Sequence, residues 1–517
     1  MRLRSLPLVA LAAVTLLACK PDPVVVNPED KPVDTTPVDA APVWPEEPYR
    51  AERPKPREIA TLQIPEIRHF TLDNGLEVYL VQQQTLPTVM MSFEFDVGDV
   101  DDPGGKSGLG SLCADLLDES TKSKDKAAFS AARDDHAVDI WASAATETTS
   151  ISVRTLQREL PAALDLLAEM ILEPGLRADD FERLVKQRKN SIEQSKGSPT
   201  SLAYRVLPPL IWGSSHPYGK IETDKSIDKV SLSDCKRWVS KLRPGGARLW
   251  IVGNIDEAQI REQIGQRLAK WTGESPVPRK LPEAKPAKGT IFFVHVADAA
   301  QSQIIVAHPG PARTAEDYEA TQLVAAILGG SFSSRINMNL REDKGWSYGA
   351  RGGFVYRRNG SYFNAGSSVR TDATGGAVRE IAKEIQLMRT GEPTAEELRR
   401  EQEGALLAMP AEFATATKSL YEFRSLSFYG LPLDWHEGYQ KRLRALDTKA
   451  VAAAAAKHLQ ERDQVVLVVG DGAVILEDLE AIAKEKLFGD GGIVYLDSDG
   501  NKVARPKLEA PTAGSGE

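Results

Sequence analysis

Two stretches 217 residues apart constrain this chain more than any other feature: LWIVGN (249–254) and VLVVGD (466–471). Each is a β-branched, apolar strand running into a turn, and each closes what reads as one copy of a repeated unit. The first copy opens with RHFTLDNGLEVYLVQQ (68–83), whose Asn74-Gly75 is a strong hairpin signal. Strand-like MMSFEFDVG (90–98), a helix-like stretch near 109–118, alternating ISVRTL (151–156), a long helical region from Pro161 to about Glu193 and a helix ending by Trp271 complete it. The second copy carries GTIFFVHV (289–296), QSQIIVAHPG (301–310), helical YEATQLVAAILGG (318–330), strand-like GSYFNAGSSV (360–369), a helix over 374–388 and a last helix after the closing strand. Short strands mixed with long helices, twice over, predict an α+β fold. The expected architecture is two tandem homologous domains, 59–273 and 289–488, each a mixed or antiparallel sheet flanked by helices. A linker (274–288) joins them, and 489–517 reads as a hairpin at Asp499-Gly500 or Gly500-Asn501 followed by a tail.

The chain before the repeat sets the compartment. Arg2 and Arg4 precede an apolar run too short to span a bilayer comfortably, and the run ends in Leu16-Leu17-Ala18-Cys19. This reads as a signal peptide (1–18) with a bacterial lipobox, Cys19 being the acylated residue. Dense proline over 19–58 predicts an extended, coreless, disordered stalk. The expected location is the bacterial cell envelope, periplasm-facing at the outer membrane, with the membrane reached through the lipid anchor alone. A net charge of −9 argues against nucleic-acid binding. Cys113 and Cys235 could pair in an oxidising compartment; the expectation from the sequence is two buried free thiols. Gly470 and Gly472 form a G-x-G without the third glycine of a dinucleotide loop.

Residues 108–121 read GLGSLCADLLDEST, after strand-like FEFDVGDVDDPGGKS. This resembles the zinc helix of the insulinase/pitrilysin metallopeptidases, the inverzincins related to mitochondrial processing peptidase. In that family two His at i and i+4 bind zinc from one helix face and the Glu between them activates the metal-bound water. ASAATETTSISVRTL (142–156) resembles the family's edge-strand region and IWGSSHPYGK (211–220) its H-P-Y-G stretch; LGGSFSSRINMNLREDKGWSYGA (328–350) resembles its C-terminal signature. The departures decide the chemistry. Where the resemblance implies His, Glu and His, this chain has Ser111, Ala114 and Asp115. The third, carboxylate ligand aligns with Ser191, or with Glu193 if the register slips. One carboxylate cannot hold zinc with the three protein ligands a catalytic site uses. No cofactor is therefore expected in this chain, and no residue is expected to be catalytic. Asp118 and Glu119 read as solvated charges at the helix end.

Arg341 and Tyr348 match the Arg and Tyr that in this family reach toward the bound peptide. An Arg fork and a Tyr hydroxyl suit peptide carbonyls, and Gly329, Gly330 and Gly345 give tight backbone around them. The plainer alternative is an Arg that salt-bridges a helix and a Tyr that packs. The resemblance implies a non-catalytic subunit that presents Arg341 and Tyr348 to extended peptides in a composite site. Zinc would come from a partner carrying the intact motif, in a heterodimer, or alternatively the chain forms a homodimer. A second expectation is a stand-alone peptide-binding or scaffold lipoprotein of the envelope.

Overall fold

In the computed structural model the described residues are 47–48, 64–84 and 86–508. The stretch read as a signal peptide, the expected lipidation site Cys19 and nearly all of the expected stalk lie outside them. Two sheets carry the fold within a single compact unit. The first contains β1 (Ile67–Thr71), β2 (Glu77–Gln82), β3 (Thr88–Phe95), β4 (Asp139–Ala144), β5 (Thr149–Leu156) and β6 (Arg248–Gly253). The second contains β7 (Thr290–His295), β8 (Gln301–Pro309), β9 (Ser347–Arg357), β10 (Gly360–Arg370), β11 (Val465–Gly470), β12 (Ile493–Leu496) and β13 (Lys502–Val503). Their orders are β1-β2-β6-β3-β5-β4 and β13-β12-β7-β11-β8-β10-β9. Laid on each other, β2, β6, β3, β5 and β4 match β7, β11, β8, β10 and β9. The two closing strands, β6 and β11, run parallel to β2 and β7 and antiparallel to β3 and β8 respectively. The sheets are mixed for that reason. The C-terminal hairpin is not separate, because β12 pairs parallel to β7 as part of the second sheet.

The central strands of each sheet are buried on both faces, which is why the closing strands read as unbroken apolar runs. In β6, Leu249 and Ile251 enter the first domain's core, while Trp250 and Val252 point the other way. In β11, Val466 and Val468 face the second core and Val465, Leu467 and Val469 the opposite side. The cover on those outer faces is exchanged between the halves. The Pro199–Trp212 helix of the first half lays Leu202, Val206, Leu210 and Ile211 on the second sheet. The Ala416–Phe428 helix of the second half lays Leu420, Phe423 and Leu426 on the first. The linker runs back along the former helix, Lys285 and Ala287 donating backbone N–H bonds to the Trp212 and Leu210 carbonyls at its end.

A buried ion network seals the same junction. Arg248 of β6 donates to Glu94 (3.0 Å) and to both carboxylate oxygens of Asp96 (2.9 and 3.1 Å). From the second half, Arg424 reaches Glu94 (2.9 Å) and Arg358 reaches Asp96 (2.7 Å). Burial pushes the Asp96 carboxyl up, but Arg248 and Arg358 outweigh it and hold it below the ordinary range. Beside them the Arg358 and Asn359 amides donate to Glu147 and to the Tyr218 hydroxyl at 3.0 and 3.2 Å.

Two expectations are corrected here. The helical region after Pro161 is two helices, Leu160–Leu172 and Ala178–Lys196, because Pro174 and Gly175 break it. Cys113 and Cys235 are buried, as expected, but bonded rather than free: they form a disulfide between the Leu109–Leu117 and Leu232–Val239 helices. The two helices pack with those Cα atoms 4.9 Å apart, within disulfide reach, although 122 residues separate them in the chain.

Candidate functional site

The degenerate helix, Leu109–Leu117, starts where three backbone N–H groups need acceptors. Asp102 supplies both oxygens, accepting from Gly108, Leu109 and Gly110 at 2.8–3.1 Å. Leu109, Leu112, Leu116 and Leu117 face the core, and Cys113 is spent on the disulfide. Ser111 and Asp115, at i and i+4, share the outer face. Ala114, at the position of the family's base, is fully buried and offers no donor or acceptor side chain.

The Ser111 hydroxyl donates to Asp99 (3.0 Å). Burial pushes the Asp99 carboxyl up to about 6, against the pull of Ser111 and Arg188. Asp115 faces the Ala178–Lys196 helix, where the Arg188 guanidinium comes within 3.9 Å of its carboxylate. The same guanidinium grips Glu222 bidentately, at 2.6 and 2.9 Å. Glu222 has room to approach because position 108 is glycine, at φ +92°: a Cβ there would lie 2.7 Å from the Glu222 carboxyl carbon. Ser191 is exposed and lines the same hollow as Arg188 and Glu222. Glu193 turns to solvent and pairs with Lys196 at 2.7 Å, so neither alignment supplies a third ligand. Among the described residues no group of three or more His, Cys, Asp or Glu side chains is arranged to hold a metal ion. The side chains at the motif positions do not fit zinc.

Asp118 and Glu119 are not the solvated charges the sequence suggests. Glu119 pairs with Lys126 and Arg183, and Asp118 turns inward to accept the Ala142 amide at 2.7 Å. Burial pushes the Asp118 carboxyl up to about 7. A folded value above the unfolded one near 3.8 means the native state holds the proton more tightly. Stability at this group is therefore lost as pH rises from about 4 to about 7. Asp118→Asn should match the parent's melting temperature at pH 4 and exceed it at pH 8 by on the order of 1–2 kcal/mol of stability, read by calorimetry. A difference that does not change with pH would refute this.

The H-P-Y-G stretch is structural. His216 Nδ1 accepts the Tyr218 amide and Nε2 donates to the Pro282 carbonyl, both at 3.0 Å, and burial holds the imidazole below its ordinary pKa.

Arg341 and Tyr348 belong to a second place. The Tyr318–Ala325 helix widens into a π turn over Ala326–Gly330, and a second π turn spans Met338–Asp343 before β9. The first presses so closely on β9 that a Cβ at Gly329 would lie 2.5 Å from the Gly352 nitrogen. Asn337 ties the segment down, accepting from the Ala350 amide (2.9 Å) and donating to the Phe332 carbonyl (2.5 Å). Arg341 pairs with Glu342 at 3.1 Å, as the plainer reading had it. Tyr348 does not pack: it is 88% exposed. The Arg341 guanidinium lies over the Phe332 ring at 4.6 Å and the Tyr348 ring at 5.1 Å. They line an open hollow of about 330 Å³ with Gln301, Asn337 and Arg351. None of its residues lines the hollow around Arg188.

Comparison with known proteins follows this division. Residues 77–209 match the family model described as insulinase (peptidase family M16), and residues 229–405 the one described as peptidase M16 inactive domain. An uncharacterized zinc protease of Mycobacterium leprae is 25% identical over 285 residues, 54% of this chain and 63% of that protein. The match thus spans less than two thirds of that relative's length. A Helicobacter pylori protein named non-peptidase homolog YmxG is 20% identical over 420 residues, 79% of this chain and 95% of that one. Among solved structures, a peptidase M16 inactive domain from Pseudomonas fluorescens superposes with a TM-score of 0.72 at 25% identity, covering 78% of this chain and 98% of its own.

Proposed function

This chain belongs to the insulinase (peptidase M16) family as an inactive homologue, and from that premise we propose that it is the non-catalytic subunit of a zinc metallopeptidase pair. Its partner is a homologue with the intact motif, which supplies the zinc and the base. This chain contributes Arg341 and Tyr348 to the bound peptide. The observation that carries the reading is the contrast between the two places: the metal positions are Ser111, Ala114, Asp115 and Ser191, while Arg341 and Tyr348 stand paired and open to solvent. Such a pair can donate to the carbonyls of an extended peptide. The proposed setting is the cell envelope, lipid-anchored through Cys19. The buried disulfide supports an oxidising compartment.

The test is peptide hydrolysis by the chain alone and after mixing with a zinc-motif homologue encoded beside it. The expected result is silence alone and a clear rate increase on mixing. Arg341→Ala with Tyr348→Phe should then cut the stimulated rate about 10- to 100-fold while leaving association intact. Full activity in that double variant would remove the role from these residues. Silence in every mixture, with peptide still bound by the lone chain, would favour the stand-alone binding reading.

A further inference from the structure

We infer that the Arg188 guanidinium stands where the family's metal would sit, a fixed cation that ties the two metal-bearing helices together and excludes zinc. The inference rests on the family alignment of positions 111, 115 and 191, not on the proposed partnership. The Leu109–Leu117 helix carries the first two positions and the Ala178–Lys196 helix the third. A metal shared by all three would lie between those helices, and Arg188 spans that gap. Rooted one turn before Ser191, it reaches to 3.9 Å from Asp115, at the second position. Its charge is felt by Asp99, the acceptor of the Ser111 hydroxyl at the first position.

The guanidinium is not free to swing away. Glu222 holds two of its nitrogens, and the charges of Asp99, Asp115 and Glu222 all act on it. A planar fork with two of its donors engaged has far less freedom than a lone ammonium. A divalent ion brought alongside would meet a fixed like charge within about 4 Å, which water screens only in part because Arg188 is 31% and Asp115 45% exposed. The missing ligands and the presence of this arginine are therefore two separate barriers to metal. Restoring the ligands alone leaves the second in place.

The experiment places Ser111→His, Asp115→His and Ser191→Glu together in the full chain, with and without Arg188→Leu. Zinc affinity is read by titration calorimetry, and geometry by the visible absorption of bound cobalt(II). The expected result is zinc binding at least about 100-fold tighter once Arg188→Leu is added. Arg188→Lys in its place should give an affinity between the two, since it keeps the charge but not the fixed fork. Equal affinity with and without Arg188 overturns the inference. So does an absence of binding in both folded variants, because the three positions would then not converge on the guanidinium. If the multiple variants do not fold, Arg188→Glu alone serves. It surrounds the same point with carboxylates, and millimolar zinc should raise its melting temperature but not the parent's. No such difference overturns the inference equally.

Discussion

Replacing Cys113 and Cys235 together by alanine is expected to lower the unfolding free energy by about 5 kcal/mol, the loop-closure entropy of a bridge across some 120 residues. For a folded unit of this size that corresponds to a fall of roughly 5 °C in melting temperature. The bridge joins the degenerate helix to the Leu232–Val239 helix in the middle of the first core, and both cysteines are fully buried. Alanine at each site also leaves a sulfur-sized gap, so the cost adds to the entropy rather than offsetting it. The control is chemical. A strong reductant during the scan should bring the parent down toward the variant and leave the variant unmoved. If parent and variant melt together under oxidising conditions, the bridge does not constrain this fold.

The second large effect lies at the junction between the halves. Arg248→Met should cost about 3–5 kcal/mol at pH 7, because it orphans two carboxylates rather than because ion pairs are strong. Glu94 is 3% exposed and Asp96 6%, so water cannot replace the lost guanidinium. Arg424 and Arg358 keep one contact each, which sets the effect below that of a wholly unpaired charge. The pH dependence has a definite sign. In the parent, Asp96 is held below its unfolded value, so its contribution is present above about pH 4 and fades as pH falls further. In Arg248→Met part of that hold is gone and the carboxyl can take up a proton. The gap between variant and parent should therefore narrow from pH 7 to pH 4. Glu94→Gln with Asp96→Asn in the same background should recover part of the loss. A melting temperature at pH 7 within 1 °C of the parent would show that the network contributes little to stability.

What the chain declared in advance was mostly local. LWIVGN and VLVVGD announced equivalent strands, and β6 and β11 hold the same place in their sheets. Asn74-Gly75 announced the β1–β2 turn, with Gly75 at φ +86°. Asp499-Gly500 or Gly500-Asn501 marked the last hairpin; its turn centres one step earlier, on Ser498 and Asp499, the Gly500 amide donating to the Asp497 carbonyl at 3.0 Å. The same strands' alternation marks two apolar faces but not the identity of their cover. An amphipathic helix declares a stripe, not the sheet it will meet, so the exchange of the Pro199–Trp212 and Ala416–Phe428 helices was invisible. The cysteine pairing was invisible for a related reason, since spacing carries no distance. At the degenerate site, alignment marked Ser191 by register, whereas the group that fills the gap starts one turn earlier and arrives through a long side chain. Asp99 and Asp102 passed unnoticed as acids in a loop. Only the fold shows one taking the Ser111 hydroxyl and the other capping the helix.

The exchange of covering helices also sets an order of events during synthesis. The first sheet has its last strand once residue 253 is made, but the helix that shields its outer face begins at 416. At the usual elongation rates of about 5–20 residues per second, those 163 residues take on the order of 10–30 s to appear. Through that interval Met90, Trp250 and Val252 lack the cover of Leu420, Phe423 and Leu426 and pack only with neighbours of their own half such as Tyr79 and Val81. Until the second half arrives that apolar face stays open, and a truncation between those points is expected to give a fragment that aggregates, read by light scattering, instead of a smaller folded domain.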